Sequence, residues 1–163
     1  MEAGQLLPRN YCMRYLIQAV VLIASDQLIK FCVRATQQPG ESISVIGDFF
    51  QITLIKNEGA AFGIMSGQAL FLIAVPAAVI IGAIWYMVRH RELSRSFKTA
   101  LTLIISGGIG NLIDRLMFGQ VTDMFSFSVF PPVFNLADVF VTLGCVLLIL
   151  NILFDGTSRK KRS

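Results

Sequence analysis

Apolar residues along this chain gather into four long runs, at about 15–33, 68–88, 97–118 and 133–154. A helix that crosses a bilayer takes about 20 mostly apolar residues, and each run has that length. The run at 68–88 carries no charge. The others are interrupted by Asp26 and Lys30, by Asp114 and Arg115, and by Asp138. This pattern predicts an all-α membrane bundle of four transmembrane helices, forming a single polytopic domain over 1–163.

Between the runs the periodicity changes. In the connection 34–67, residues 42–55 are rich in Ile, Val, Phe and Thr, and Gln51-Ile52-Thr53-Leu54 alternates polar with apolar. That alternation predicts strands. Residues 57–66 then read as a turn leading into a short amphipathic helix, so this connection is expected to hold a small β-sheet and one short helix. The connection 119–132 is rich in Phe and ends in Pro131-Pro132; it reads as an apolar loop that rests on lipid or walls a site.

Composition supports the membrane reading. Hydrophobic residues make up 55% of the 163, the mean hydropathy is +0.68, and only 15% are charged. Soluble domains carry about 25% charged residues, and disordered chains are poor in apolar ones, so neither class fits. The net charge of +4 suggests nucleic acid only until its distribution is considered. Nine of the 14 basic residues lie before the first run, between the second and third, and after the fourth, and a tenth, Lys98, stands at the inner start of the third. Lys and Arg collect in cytoplasmic loops, which predicts cytoplasmic N- and C-termini and places the connections 34–67 and 119–132 outside. Tyr11, Tyr15, Trp85 and Tyr86 then fall at the inner interface. A cleavable signal peptide is disfavoured at the N-terminus, because three further spans follow in place of a soluble domain. Cys12, Cys32 and Cys145 have no metal-type spacing.

The chemistry lies in the intramembrane charges. An ionisable side chain at the centre of a spanning helix costs about 2.5–3.5 kcal/mol and by default faces the bundle interior in a functional role. With the third run directed outward and the fourth inward, Asp114 and Asp138 fall roughly 6 and 7 Å from the outer ends of their spans. Two carboxylates at one depth on successive helices can share a proton and activate water against a carbonyl. Asn111 and Asn135 each precede one of these acids by three residues, where the amide can orient the carboxylate. Other catalytic classes do poorly: the sole histidine, His90, lies in the inner loop, which removes a Ser-His-Asp triad and a His-ligated zinc site. Gly107, Gly108 and Gly110 lack the Lys-Ser/Thr of a phosphate loop and suit close helix packing. A small proton or ion transporter is the rival reading, although the inner halves of the spans offer almost no polar path. A structural adaptor held together by its buried charges is another.

Five segments, in this order and spacing, carry a resemblance to a known family. They are Asp26-Gln27-Leu28-Ile29-Lys30, Asn57-Glu58-Gly59-Ala60-Ala61-Phe62-Gly63, Gly107 through Arg115 (GGIGNLIDR), Val121-Thr122-Asp123, and Phe134-Asn135-Leu136-Ala137-Asp138. The chain resembles the bacterial lipoprotein signal peptidases (signal peptidase II, prolipoprotein signal peptidases). The resemblance implies an intramembrane aspartyl endopeptidase of the bacterial cytoplasmic membrane. It would cut prolipoproteins just before the diacylglyceryl-modified cysteine, close to the outer face. It also implies Asp114 and Asp138 as the catalytic dyad, with Asn57, Asn111, Arg115 and Asn135 binding substrate or orienting the dyad. Asp26, Lys30, Gly59 and Asp123 would support the site. No metal or cofactor is implied, membrane lipids surround the protein, and globomycin-type inhibitors would block it. A functional monomer is expected, because one chain supplies both acids. Ile29 and Val139-Phe140 depart from residues frequent in the family.

Overall fold

The computed structural model describes residues 9–59 and 69–160, with side chains described over 13–59 and 70–154. The helix expected within 57–66 lies largely outside the described residues. The four apolar runs form α1 (Arg9–Thr36), α2 (Ala69–Arg89), α3 (Arg95–Phe118) and α4 (Leu136–Lys160). All four are long and apolar enough to cross a membrane. α3 is the central helix and packs against α1, α2 and α4.

The bundle buries polar groups beside apolar ones and turns large apolar side chains outward. Asp26, Lys30, Ser106, Asp114 and Asn135 are fully buried, while Leu16, Val21, Phe31, Ile81, Leu116 and Leu153 are exposed. A chain that folds in water does the reverse; one surrounded by acyl chains gains nothing by burying Leu and much by pairing its polar groups. The glycines of α3 allow this packing. A methyl group on Gly110 would sit 2.6 Å from Asp26 Oδ2, and one on Gly108 would press on the Ile80 side chain at 3.1 Å. Ser94 caps the start of α3 by accepting from the Phe97 N–H at 3.1 Å. Gly119 ends it in the left-handed conformation with φ 72°, which glycine adopts without steric cost.

At the end of the bundle where α1 and α3 terminate lies a four-stranded antiparallel sheet. Its strands are β1 (Ser42–Ile46), β2 (Phe50–Asn57), β3 (Val121–Phe127) and β4 (Phe130–Phe134), in that spatial order. The expected sheet is therefore present, but only half of it comes from 34–67. The segment expected as an apolar loop supplies β3 and β4, and β3 pairs antiparallel with β2 from Phe50–Phe127 to Asn57–Val121. Pro131 and Pro132 are tolerated because β4 is an edge strand. Phe50 stacks on Phe127 at 4.6 Å, and Phe127 on Phe134 at 5.9 Å. On the period-2 pleat Asp123 shares the face of Phe125 and Phe127.

β4 also corrects one boundary. The fourth apolar run was expected to be helical from about 133, but the strand holds the backbone to Phe134 and α4 starts at Leu136. Asp138 therefore sits in the first turn of α4, not a turn and a half inside it.

Candidate active site

Asn135 and Asp138 form a reciprocal cap on α4. The Asp138 N–H donates to Asn135 Oδ1 at 3.0 Å, and the Asn135 N–H donates to Asp138 Oδ2 at 3.1 Å. This is the capping-box arrangement, with Asn and Asp in the places more often held by Ser/Thr and Glu. The other oxygen, Asp138 Oδ1, accepts from Asn111 Nδ2 at 2.7 Å. Asn111 does not orient the acid of its own helix, as its spacing suggested; it crosses from α3 to α4. Lys30 fixes which end of that amide faces Asp138, donating to Asn111 Oδ1 at 2.9 Å.

The same Asn135 reaches a second acid. Its Nδ2 donates to Asp123 Oδ1 at 2.6 Å, while Asn57 Nδ2 donates to Asp123 Oδ2 at 2.8 Å. Asn57 is itself held in a short turn, its Oδ1 accepting the Gly59 N–H at 3.0 Å. Arg115 closes that turn by donating to the Gly59 carbonyl at 3.2 Å. Burial pushes the Asp123 carboxyl up to about 6. The amide of Asn57 opposes the rise, the neighbouring charge of Asp138 adds to it, and Asn135 and Lys30 oppose it.

Asp114 has different company. Lys30 Nζ lies 3.2 Å from Asp114 Oδ2, and Arg34 Nη1 lies 3.3 Å from Oδ1. The Thr122 N–H donates to Oδ2 at 2.9 Å. Lys30 also pairs with Asp26 at 3.0 Å, and Asp26 Oδ1 accepts the Ala137 N–H at 2.9 Å. Two carboxylates and two cations thus make a compact neutral cluster that ties α1 to α3, β3 and the start of α4. Buried charges hold only when paired in this way. Asp114 and Asp138 lie near the same end of their helices, but Lys30 and Asn111 stand between their carboxylates. The sequence reading paired Asp114 with Asp138; in the structure the carboxylate that shares Asn135 with Asp138 is that of Asp123.

A cavity of about 760 Å³ opens between α2, α3, α4 and the sheet. Its polar end is lined by Asn57, Asn111, Arg115, Asp123 and Asp138, and the remainder is apolar except for Thr142. Asp26, Lys30 and Asp114 do not line it. The arrangement offers two carboxylates that share Asn135, one cation beside them, and an apolar trough leading away. Such a site suits hydrolysis of a peptide bond in an otherwise apolar segment.

The family model for signal peptidase (SPase) II matches residues 18–154. The chain belongs to the signal peptidase II family. It is accordingly an aspartic endopeptidase and a multi-pass membrane protein. The lipoprotein signal peptidase of Brevibacillus brevis is 38% identical over 91% of this chain and all of that one. That of Bacillus subtilis is 38% identical over 91% and 99%, and that of Staphylococcus aureus strain JH9 32% identical over 88% and 90%. Two solved bacterial membrane enzymes, each 31% identical, superpose with TM-scores of 0.84 and 0.79. They cover 89% and 86% of this chain and are themselves covered to 90% and 92%.

In this signal peptidase the sequence reading overlooked Gln27, Arg34 and Thr122. Gln27 Nε2 donates to the Gly110 carbonyl at 3.0 Å, and Arg34 Nη1 to Thr122 Oγ1 at 2.8 Å. A signal for Arg34 was present: Asp26, Lys30 and Arg34 recur every four residues along α1, which puts them on one face. Ser25 turns its hydroxyl back to the Leu22 carbonyl at 2.8 Å.

Proposed function

We propose that this protein removes the signal peptide from prolipoproteins by cutting just before the diacylglyceryl-modified cysteine, with Asp123 and Asp138 as the water-activating pair. One observation carries the assignment: Asn135 holds both carboxylates at the polar end of an apolar trough, whereas Asp114 is neutralised by Lys30 and Arg34 outside it. Asp123, with its carboxyl raised to about 6, is the member that holds the proton in the active form, which is the form populated below that pH. Asp138 takes the proton of the attacking water, and the Asp123 proton supports the developing oxyanion. The proton taken up by Asp138 then passes to the leaving amine. Arg115, at the same end of the trough, steadies the negative charge of the pair.

Asp114 becomes a positioning residue. Its carboxylate accepts the N–H of Thr122, the residue before Asp123, and so fixes the strand that presents the acid. Asp26 does the same for α4 through Ala137. The distribution of basic residues supports cytoplasmic termini, which puts the sheet and the acids near the outer face. There the acyl chains of a lipidated substrate remain in the bilayer while its peptide enters the trough. Ion transport is not retained, since membership of a peptidase family disfavours it. The test is to incubate the purified protein with diacylglyceryl-modified and unmodified prolipoprotein. Mass spectrometry should find a product beginning at the lipidated cysteine from the first only; a cut elsewhere, or equal cutting of both, would refute the substrate assignment.

A further inference from the structure

The end of the bundle away from the sheet holds a second cavity, of about 450 Å³, lined by Trp85, Val88, Arg89, Arg91 and Glu92. It lies where α2 gives way to α3, and the peptidase chemistry makes no use of it. The short connection between these helices is pinned. The His90 N–H donates to the Tyr86 carbonyl at 2.9 Å, and its ring lies 4.4 Å from that of Tyr86. Lys98, buried in the first turn of α3, donates to the Arg91 carbonyl at 2.6 Å. His90 Nδ1 lies 3.1 Å from Glu92 Oε1, so the one carboxylate at the cavity is already engaged. Among the described residues no hydrogen bond or ion pair engages the guanidinium of Arg89 or Arg91. The same is true of Arg95, which does not line the cavity.

The approach to the cavity along α2 is apolar. Ile81, Ile84, Trp85 and Val88 recur at i, i+3, i+4 and i+7, hence on one helix face, and all four are exposed. The stripe runs about 10 Å along the helix. α2 turns Ile80, Ala83 and Met87 toward Leu101 and Ile105 of α3 instead. A soluble anion has no use for such a stripe. An apolar stripe that ends in an indole and two guanidinium groups matches a phospholipid, with acyl chain along the helix and phosphate at its end. Trp is favoured at that level of a membrane, and guanidinium takes phosphate through paired N–H donors. We propose that this cavity binds an anionic phospholipid of the surrounding leaflet, its phosphate on Arg89 and Arg91 and one acyl chain along the stripe. A zwitterionic lipid is disfavoured, because its ammonium group would face the same two cations.

The chain supplies its own reporter, since Trp85 is its one tryptophan and bromine on an acyl chain quenches indole fluorescence on contact. The purified full chain is reconstituted in phosphatidylcholine vesicles that contain a small fraction of brominated-acyl phosphatidylglycerol or of brominated-acyl phosphatidylcholine. Wild type should prefer the phosphatidylglycerol by about 30-fold, two basic residues' worth of attraction to an anionic lipid. In the double variant Arg89→Gln, Arg91→Gln the preference should fall to within about 2-fold of none, while Arg95→Gln should keep it. Equal quenching by the two lipids in wild type would overturn the inference without any variant. So would a preference that survives in the double variant, or one lost equally in Arg95→Gln, which would mean attraction to the surface as a whole. Release of the quenching by millimolar glycerol phosphate would assign the cavity to a soluble phosphate and overturn the lipid reading.

Discussion

Replacing Asp123 with Asn should make the protein more stable at neutral pH while it destroys activity. The Asp123 carboxyl is 3% exposed and is raised from its ordinary 3.8 to about 6. The folded state therefore binds this proton more tightly than the unfolded chain does. Below about pH 4 both states are protonated and folding is unpenalised. As the pH rises through 6 the fold must carry a buried charge, and stability falls. At 1.36 kcal/mol per pH unit that displacement amounts to about 3 kcal/mol at pH 7. Asn carries no such cost. It does lose one acceptor, because its new NH₂ must face the Nδ2 of Asn57 or Asn135, at about 1 kcal/mol whatever the pH. Relative to wild type, Asp123→Asn should thus be about 1 kcal/mol less stable at pH 4 and about 2 kcal/mol more stable at pH 7.5. Unfolding in detergent, followed across that pH range for both proteins, reads the difference directly. A difference that stays constant with pH, or that moves against the variant as pH rises, would refute the assignment of a buried, proton-holding Asp123.

Four further outcomes follow from the same geometry. The rate parameter kcat/KM should show a falling limb with an apparent pKa near 6, because it is the protonated Asp123 that works; a pH–rate profile that rises through pH 6 and stays flat above would contradict it. Lys30→Met leaves the buried carboxylates of Asp26 and Asp114 short of a cation and should cost about 3–5 kcal/mol of stability, measured by unfolding. Gly110→Ala places a methyl 2.6 Å from Asp26 Oδ2, forces α1 from α3, and should cost at least about 1–3 kcal/mol in the same assay. Asn135→Ala removes the bond to Asp123 and half of the α4 cap; cleavage should fall by at least about 100-fold, the lower end for loss of an acid–base contribution, while the helix cap accounts for only about 1 kcal/mol of lost stability.

Much of this was legible in the sequence, and the boundary of legibility has a physical reason. The four spans follow from run length alone, since bilayer thickness fixes how many apolar residues a helix needs. Asp138, Asn135, Asn111, Arg115 and Asn57 were all marked, and all line or support the trough. Asp123 was marked only as support, because it lies outside every span, and an argument from depth in the membrane weighs only acids within spans. The strand that carries it was hidden for a related reason: the Phe-rich, Pro-ended segment reads as a loop until β2 supplies its partner, a contact more than 60 residues away in sequence. Depth also left the partners of Asp114 open. It records how far along a helix a residue sits and says nothing of azimuth, whereas the i, i+4 stripe of Asp26, Lys30 and Arg34 already supplied a cationic face for that acid.

The measurement that bears most directly on the account compares three single variants, Asp114→Asn, Asp123→Asn and Asp138→Asn, in cleavage of diacylglyceryl-modified prolipoprotein, with rates expressed per folded molecule. The account predicts no detectable cleavage by Asp123→Asn or Asp138→Asn. It predicts a measurable residual rate for Asp114→Asn, whose larger loss is in folded protein. Cleavage by Asp123→Asn together with none by folded Asp114→Asn would contradict it and return the proton-sharing role to Asp114.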